Sequence, residues 1–349
     1  MKRIISIFLL CMLLVLTGCT GSVKEVEKNS EDKNDKIQIG MSFDSFVIER
    51  WQRDRDVFVS KAKELGAEVN VQNANGDIEK QKEQIEYFIK KGVDVIVIIC
   101  IDSDSLQATV QKAQDNGIKI IAYDRLLTKA NVDLYISFDN EKVGALMAEG
   151  IINSGNDVEN VIMLGGSLLD NNVTLVERGF TNKLRENNIK VLDSIHCDGW
   201  RAETAGEYVF NNASKVSRAQ AIMCGNDNLA GKVILALAEK RMAGDVIVVG
   251  QDADLEACQR IVEGTQLMTV YKPVEKLAKT AAECAIALAE GESLQKFESS
   301  LINDGSNYVP YIGLNPIAVT KDNMDEVIIN SGFHLKEDVY LYEQNNMEQ

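Results

Sequence analysis

The chain has 349 residues, with 37 Lys and Arg against 53 Asp and Glu, giving a formal net charge of −16. That acidity excludes a nucleic-acid binder, which needs a basic footprint. Hydrophobic residues at 45% and charged residues at 26% give a globular balance that excludes a disordered chain or a polytopic membrane protein, and the length suits two domains.

Lys2 and Arg3 precede an apolar run from Ile4 to Leu16 that only Ser6 interrupts. The run is shorter than the roughly 20 residues a spanning helix needs, and it fits a secretory signal over 1–18. It ends in Leu16-Thr17-Gly18-Cys19, small residues before a cysteine, as in a bacterial lipobox. Cys19 is the expected lipid-attachment residue. Residues 19–36 are polar and aperiodic and read as a flexible tether. The body from Ile37 onward is then expected on the extracytoplasmic face of the cell membrane, held by lipid. Of the other cysteines, Cys11 leaves with the signal. Cys100, Cys197, Cys224, Cys258 and Cys284 form an odd set without a C-x-x-C pair, so neither a metal ribbon nor a dense disulfide scaffold is expected.

From Ile37, apolar strand patterns alternate with amphipathic helix patterns. Strands are expected at 37–43, 67–71, 93–98 and 118–122, and helices at 46–65, 77–91 and 103–116. The rhythm restarts near Asp139–Gly144. Strands are then expected at 161–164, 190–195, 221–224, 245–249 and 267–270, and helices at 171–187, 201–211, 226–240, 255–263 and 273–290. Two wound α/β units with parallel sheets covered on both faces follow from this alternation.

In such sheets ligands bind beyond the carboxyl ends of the strands. The segments there are Glu49-Arg50-Trp51, Tyr123-Asp124-Arg125, Gly165-Gly166-Ser167 with Asp170-Asn171-Asn172, Asp198-Gly199-Trp200, Gly225-Asn226-Asp227, Gly250-Gln251-Asp252-Ala253-Asp254 and Tyr271-Lys272-Pro273. Asp, Asn, Arg and Lys suit a neutral sugar, whose hydroxyls both donate and accept. The only two tryptophans, Trp51 and Trp200, fall one in each unit and read as a sandwich for the apolar faces of a sugar ring. Singly, Asp227 and Asp252 read better as helix caps, and Asp170 to Asn172 as a turn; as a set converging on one edge they read as ligand contacts.

Only His196 and His334 exist, and H-E-x-x-H, Walker A, G-x-S-x-G and G-x-G-x-x-G are all missing. Gly165-Gly166-Ser167 is at best a fragment of a nucleophile elbow. No catalytic residue, metal or cofactor is expected. A sugar-responsive repressor would need a basic DNA-binding head where this chain carries its signal.

The segments Glu49–Asp56, Tyr123–Arg125, Tyr135–Gly144, Gly250–Asp254 and Thr269–Pro273 resemble the D-xylose-binding proteins of ABC transport systems, within the ribose-like periplasmic binding proteins. The resemblance implies a periplasmic-binding-protein type I fold: two Rossmann-like lobes joined by three hinge crossings. It implies an N-terminal lobe of 37–140 plus about 273–308, and a C-terminal lobe of 141–272 plus about 309–340. Carried over by position, Trp51 and Trp200 match the stacking aromatics. Arg50, Arg125, Asp170, Asn172, Asn226, Asp252 and Lys272 match hydroxyl-binding positions, and Asp124 and Arg178 match polar positions of ribose-type relatives. The implied ligand is D-xylose or, alternatively, another pentose or a hexose. The implied protein partner is an ABC permease or, alternatively, the outer part of a sensor histidine kinase.

Overall fold

The computed structural model describes residues 36–297 and 299–341. The expected signal, Cys19 and nearly all of the tether lie outside them. Among the described residues no helix is long and apolar enough to cross a membrane.

The first sheet takes β1 (Gln38–Phe43), β2 (Glu68–Asn73), β3 (Val95–Ile98), β4 (Lys119–Tyr123), β5 (Leu134–Phe138), β11 (Ser300–Asn303) and β12 (Tyr308–Leu314), in the order β11-β12-β5-β4-β3-β1-β2. Its pairings are parallel except for the β11–β12 hairpin. The second sheet takes β6 (Asn160–Gly165), β7 (Lys190–His196), β8 (Ala221–Cys224), β9 (Ile247–Gln251), β10 (Met268–Tyr271) and β13 (Ile317–Val319), in the order β13-β10-β9-β8-β6-β7. It is parallel apart from β10–β13.

The longer helices between strands are α1 (Arg50–Glu64), α2 (Ile78–Lys91), α3 (Gln107–Asp115), α4 (Asn140–Ile152), α5 (Asn171–Glu186), α6 (Ala202–Asn211), α7 (Asp227–Glu239), α8 (Leu255–Glu263) and α9 (Val274–Ala289). Local chemistry sets their ends. The Asp77 side chain accepts from the amides of Glu79 and Lys80, and α2 closes on Gly92 at φ 66°. Ile85 and Phe88 of α2 are fully buried, a contribution of about 1.5–3 kcal/mol each. All four residues of β3 are buried, as a parallel strand covered on both faces requires.

The chain passes between sheets three times: from β5 into α4, from β10 into α9, and from β12 into β13. The third passage corrects the expected division near residue 308. Tyr311–Leu314 pairs in parallel with Tyr135–Phe138, so this strand stays with the first sheet until Leu314. Its register against β5 places Ile312, nearly buried, beside the buried Ile136. Two helices also start four residues later than the periodicity predicts. Residues 46–49 lie outside α1, and just before them the Asp44 carbonyl accepts from the Gly76 amide at 2.8 Å. Residues 103–106 lie outside α3, and the Ser103 amide donates to the Leu169 carbonyl of the other lobe. Both departures sit on the rim between the lobes.

Candidate functional site

Arg50 begins α1, and its side chain is almost fully buried. Its guanidinium meets Asp54 at 2.9 Å, Asp124 at 2.9 Å and Asp252 at 4.0 Å. Asp54 lies one turn further along α1 and also accepts from the Tyr123 hydroxyl at 2.5 Å. Arg125 follows β4. Its Nη1 donates to Asp44 at 2.8 Å and to the Cys100 carbonyl at 2.9 Å. Its Nε stands 2.7 Å from Asp170, which belongs to the second lobe. Asn172 donates to the Asp124 carbonyl at 3.0 Å and to the Asp124 carboxylate at 3.1 Å. Lys272, on the second passage between lobes, lies 3.2 Å from Asp252. The chain Asp44–Arg125–Asp170–Asn172–Asp124–Arg50–Asp252–Lys272 is one connected network drawn from both lobes and the hinge.

Every cation in that network faces a carboxylate, and all its members are buried. An anionic ligand would find no free cation there, whereas a neutral polyol could exchange hydrogen bonds with both signs. Burial raises the carboxyls of Asp44 and Asp170 above the ordinary range despite Arg125. Burial also works to raise Asp124, but Arg50, Lys272 and Arg125 outweigh it and hold the carboxyl low.

Five buried polar atoms among the described residues have neither a hydrogen-bond nor an ion-pair partner: Nε1 of Trp51, Nε1 of Trp200, Nη2 of Arg125, Oδ1 of Asn172 and Oε1 of Gln251. An unpaired buried polar group costs about 1–3 kcal/mol, so five around one network mark a place built for a polar ligand. Three site residues also hold left-handed backbone: Asp124 at φ 63°, Trp200 at φ 58° and Asp252 at φ 97°. Such conformations cost about 1–3 kcal/mol each and cluster where side chains must be aimed.

Nine of the eleven positions named for the sugar, Arg50, Trp51, Asp124, Arg125, Asp170, Asn172, Trp200, Asp252 and Lys272, are buried in or beside this network. Arg50 lies over the Trp51 ring at 4.4 Å from its centroid. Asn226 is buried but spends Oδ1 on the Leu229 amide at 3.0 Å, as the cap of α7. Arg178 is not brought in: it is half-exposed and pairs with Glu141 at the surface. Asp227 and Asp252 cap no helix. Asp227 instead accepts from Thr269 at 2.7 Å and from Gln266 at 2.8 Å. Asp170 does both jobs, accepting the Asn172 amide at 2.9 Å while facing Arg125. Sequence reasoning placed Tyr123 and Gln251 in the strand-end segments without giving them a role, and gave none to Asp44 or Asp54. The spacing of Arg50 and Asp54, one helical turn apart on the face of Trp51, was the signal for one of them.

All five described cysteines are buried and unpaired. Among the described residues, no group of three or more His, Cys, Asp or Glu is placed to hold a metal ion.

Two sheets joined by three passages, with a buried polar network between them, define a two-lobe solute-binding protein. Residues 39–293 match the model of the periplasmic binding protein domain. The chain is 43% identical to the D-xylose-binding periplasmic protein of Haemophilus influenzae, over 94% of this chain and 98% of that protein. It is 42% identical to the D-xylose-binding periplasmic protein of Escherichia coli, over 93% and 96%. Among solved structures, a carbohydrate transporter solute-binding protein from Chloroflexus aurantiacus in complex with D-glucose superposes with a TM-score of 0.78 at 27% identity, over 86% of this chain and 98% of that one. This chain belongs to the periplasmic binding protein family, in the ribose-like branch that includes the D-xylose-binding periplasmic proteins.

Proposed function

We propose that the chain holds D-xylose between its lobes, closes on it by rotation about the three passages, and presents the closed form to an ABC permease. The reading is carried by the five unpartnered polar atoms around a network drawn from both lobes. A pentose offers hydroxyls to those atoms and C–H faces to Trp51 and Trp200. Asp124, Arg125, Asp170, Asn172, Asp252, Lys272 and Arg50 are the polar contacts, with Gln251 added to them. Asn226 and Arg178 are left out of the contact set. The 42–43% identity to two D-xylose-binding proteins supports the choice of sugar. In this reading the first lobe is 37–140 with 273–314, and the second is 141–272 with 315–340.

Closure follows from cross-lobe bonds such as Arg125–Asp170 and Asn172–Asp124, which form only when the lobes meet. Sugar adds contacts to the closed state alone and so shifts the population toward it. The chain acts as a binder and carrier, with no chemical step of its own. Cys19 carries lipid and keeps the protein on the outer face of the membrane.

Titration calorimetry of the chain lacking residues 1–18 tests the reading. D-xylose is expected to bind at micromolar or tighter concentration, and Trp200→Ala to abolish the heat while the protein still melts cooperatively. Strong heat with ribose and none with xylose would move the assignment to another pentose. Membrane fractionation of Cys19→Ser should find the protein released; full retention would refute the anchor.

A further inference from the structure

We propose that Gly166 and Gly225 form a seat, free of side chains, that sets the height of the Trp200 ring over the ligand and so act as positioning residues for binding. The inference rests on the reading that Trp200 touches the sugar.

A Cβ built on Gly166 would lie 2.3, 2.4 and 2.5 Å from Cη2, Cζ2 and Cζ3 of Trp200. Near-equal distances to three successive ring atoms put that Cβ over the face of the six-membered ring, not at its edge. A Cβ on Gly225 would lie 3.3 Å from Cζ3 of the same ring and 2.9 Å from the Gly166 amide nitrogen. Gly166 follows β6 and Gly225 follows β8, and these strands are direct neighbours. The ring therefore rests flat on two adjacent strand ends. Neither glycine has positive φ. Space, and not backbone conformation, demands glycine at both positions.

The ring cannot give way downward. The cavity lined by Gly166, Gly225, Met223, Gln251 and Val176 holds about 10 Å³, less than a side chain needs. Gln251 Nε2 donates to the Gly225 carbonyl and closes that floor. Trp200 is itself fixed by two successive left-handed residues, Gly199 at φ 61° and Trp200 at φ 58°, and by the hydrogen bond its amide donates to the Cys197 carbonyl at 2.9 Å. A methyl at Gly166 must therefore lift the ring by about 1 Å to restore ordinary carbon–carbon contact, which takes that height out of the space above the ring. Gly165 has a parallel reason: its Cβ would meet Glu177 Oε1 at 2.4 Å, and that oxygen holds His196 at 2.8 Å. The Gly165-Gly166-Ser167 segment, which reads in the sequence as a broken nucleophile elbow, is thus a platform.

The test is a double-mutant cycle on D-xylose affinity with Gly166→Ala and Trp200→Phe, in the chain lacking residues 1–18. A phenyl ring lacks the benzo edge that the methyl would strike. Gly166→Ala alone should weaken xylose binding at least tenfold. On the Trp200→Phe background the same change should cost less than threefold, and Gly225→Ala should fall between. Equal losses on both backgrounds, or no loss from Gly166→Ala in a wild type that binds, would overturn the seat and leave the sugar reading standing. If Gly166→Ala does not fold while the double variant does, the clash is with the ring, as proposed; if neither folds, the clash lies elsewhere and the inference falls. A wild type that binds no sugar would sink the functional reading instead. The seat would then be judged on Trp51→Phe protein, where Trp200 is the sole tryptophan; excited at the red edge, where tyrosine does not absorb, Gly166→Ala should increase its quenching by acrylamide, and unchanged quenching would refute the seat.

Discussion

Replacing Arg125 with Met removes a charge and keeps most of the volume. Arg125 is 2% exposed and holds Asp44 at 2.8 Å and Asp170 at 2.7 Å. Each carboxylate keeps one backbone donor, the Ser45 amide at 2.5 Å and the Asn172 amide at 2.9 Å, but loses its cation. Taking one partner from a buried ion pair costs about 3–5 kcal/mol. The Cys100 carbonyl also loses its donor, about 1 kcal/mol more. At roughly 2–4 °C per kcal/mol, the melting temperature should fall by about 10 °C at pH 8. The pH dependence carries the signature. Burial already raises both carboxyls, and losing Arg125 raises them further. A carboxyl raised in the folded state gives stability that is present at low pH and lost as pH rises through its folded value. The deficit of Arg125→Met against wild type should therefore shrink on going from pH 8 to pH 5. Thermal melts followed by circular dichroism across that range provide the measurement. A deficit that is constant with pH, or smaller than about 2 °C throughout, would refute the assignment of Arg125 as the cation that balances two buried acids.

Asp227 offers a second pH test. Burial pushes its carboxyl up to about 7, against the lowering effects of Thr269, Arg260 and Gln266. The unfolded carboxyl titrates near 3.8, so the folded state keeps a proton that the unfolded state has released, and this contribution fades as pH rises from about 4 through 7. Asp227→Asn should gain stability relative to wild type over that interval, and parallel melting curves would contradict it. Where α4 crosses α5, a Cβ on Gly179 would lie 1.9 Å from the Glu141 carbonyl oxygen. Backbone cannot step aside as a side chain can, so Gly179→Ala should cost about 3 kcal/mol in urea unfolding, at the upper end for overpacking. A loss under about 1 kcal/mol would show that the two helices can part.

Much of the fold was legible because each parallel strand is an apolar run bounded by a helix with its own stripe and caps. The strand Ala221–Cys224 and the helix Leu255–Glu263 have the boundaries the periodicity predicts. The end of the body was not legible. Strand Ser300–Asn303 lies at a sheet edge with three of its four residues exposed, so it carries no apolar alternation to read. Leu134–Phe138 is buried throughout, yet it follows β4 without an intervening helix and breaks the rhythm that exposed the others. In the site, residue type gave most of the members but not their division of labour. Asn226 and Asp227 are neighbours of similar chemistry, and only the backbone decides which one caps α7. The aim of Asp124, Trp200 and Asp252 depends on left-handed backbone that such residues seldom adopt, so no local propensity announces it.

The route of the third passage has a consequence for biosynthesis. Strand β5 has β12 as its neighbour, and β12 ends only at Leu314. A nascent chain that has emerged as far as Phe138 already holds five strands of its first sheet, yet leaves β5 as a raw edge. That edge stays open until the whole second sheet except β13 has been synthesised. The half made first is thus finished almost last, which delays its cooperative locking and keeps the polypeptide threadable for most of its synthesis.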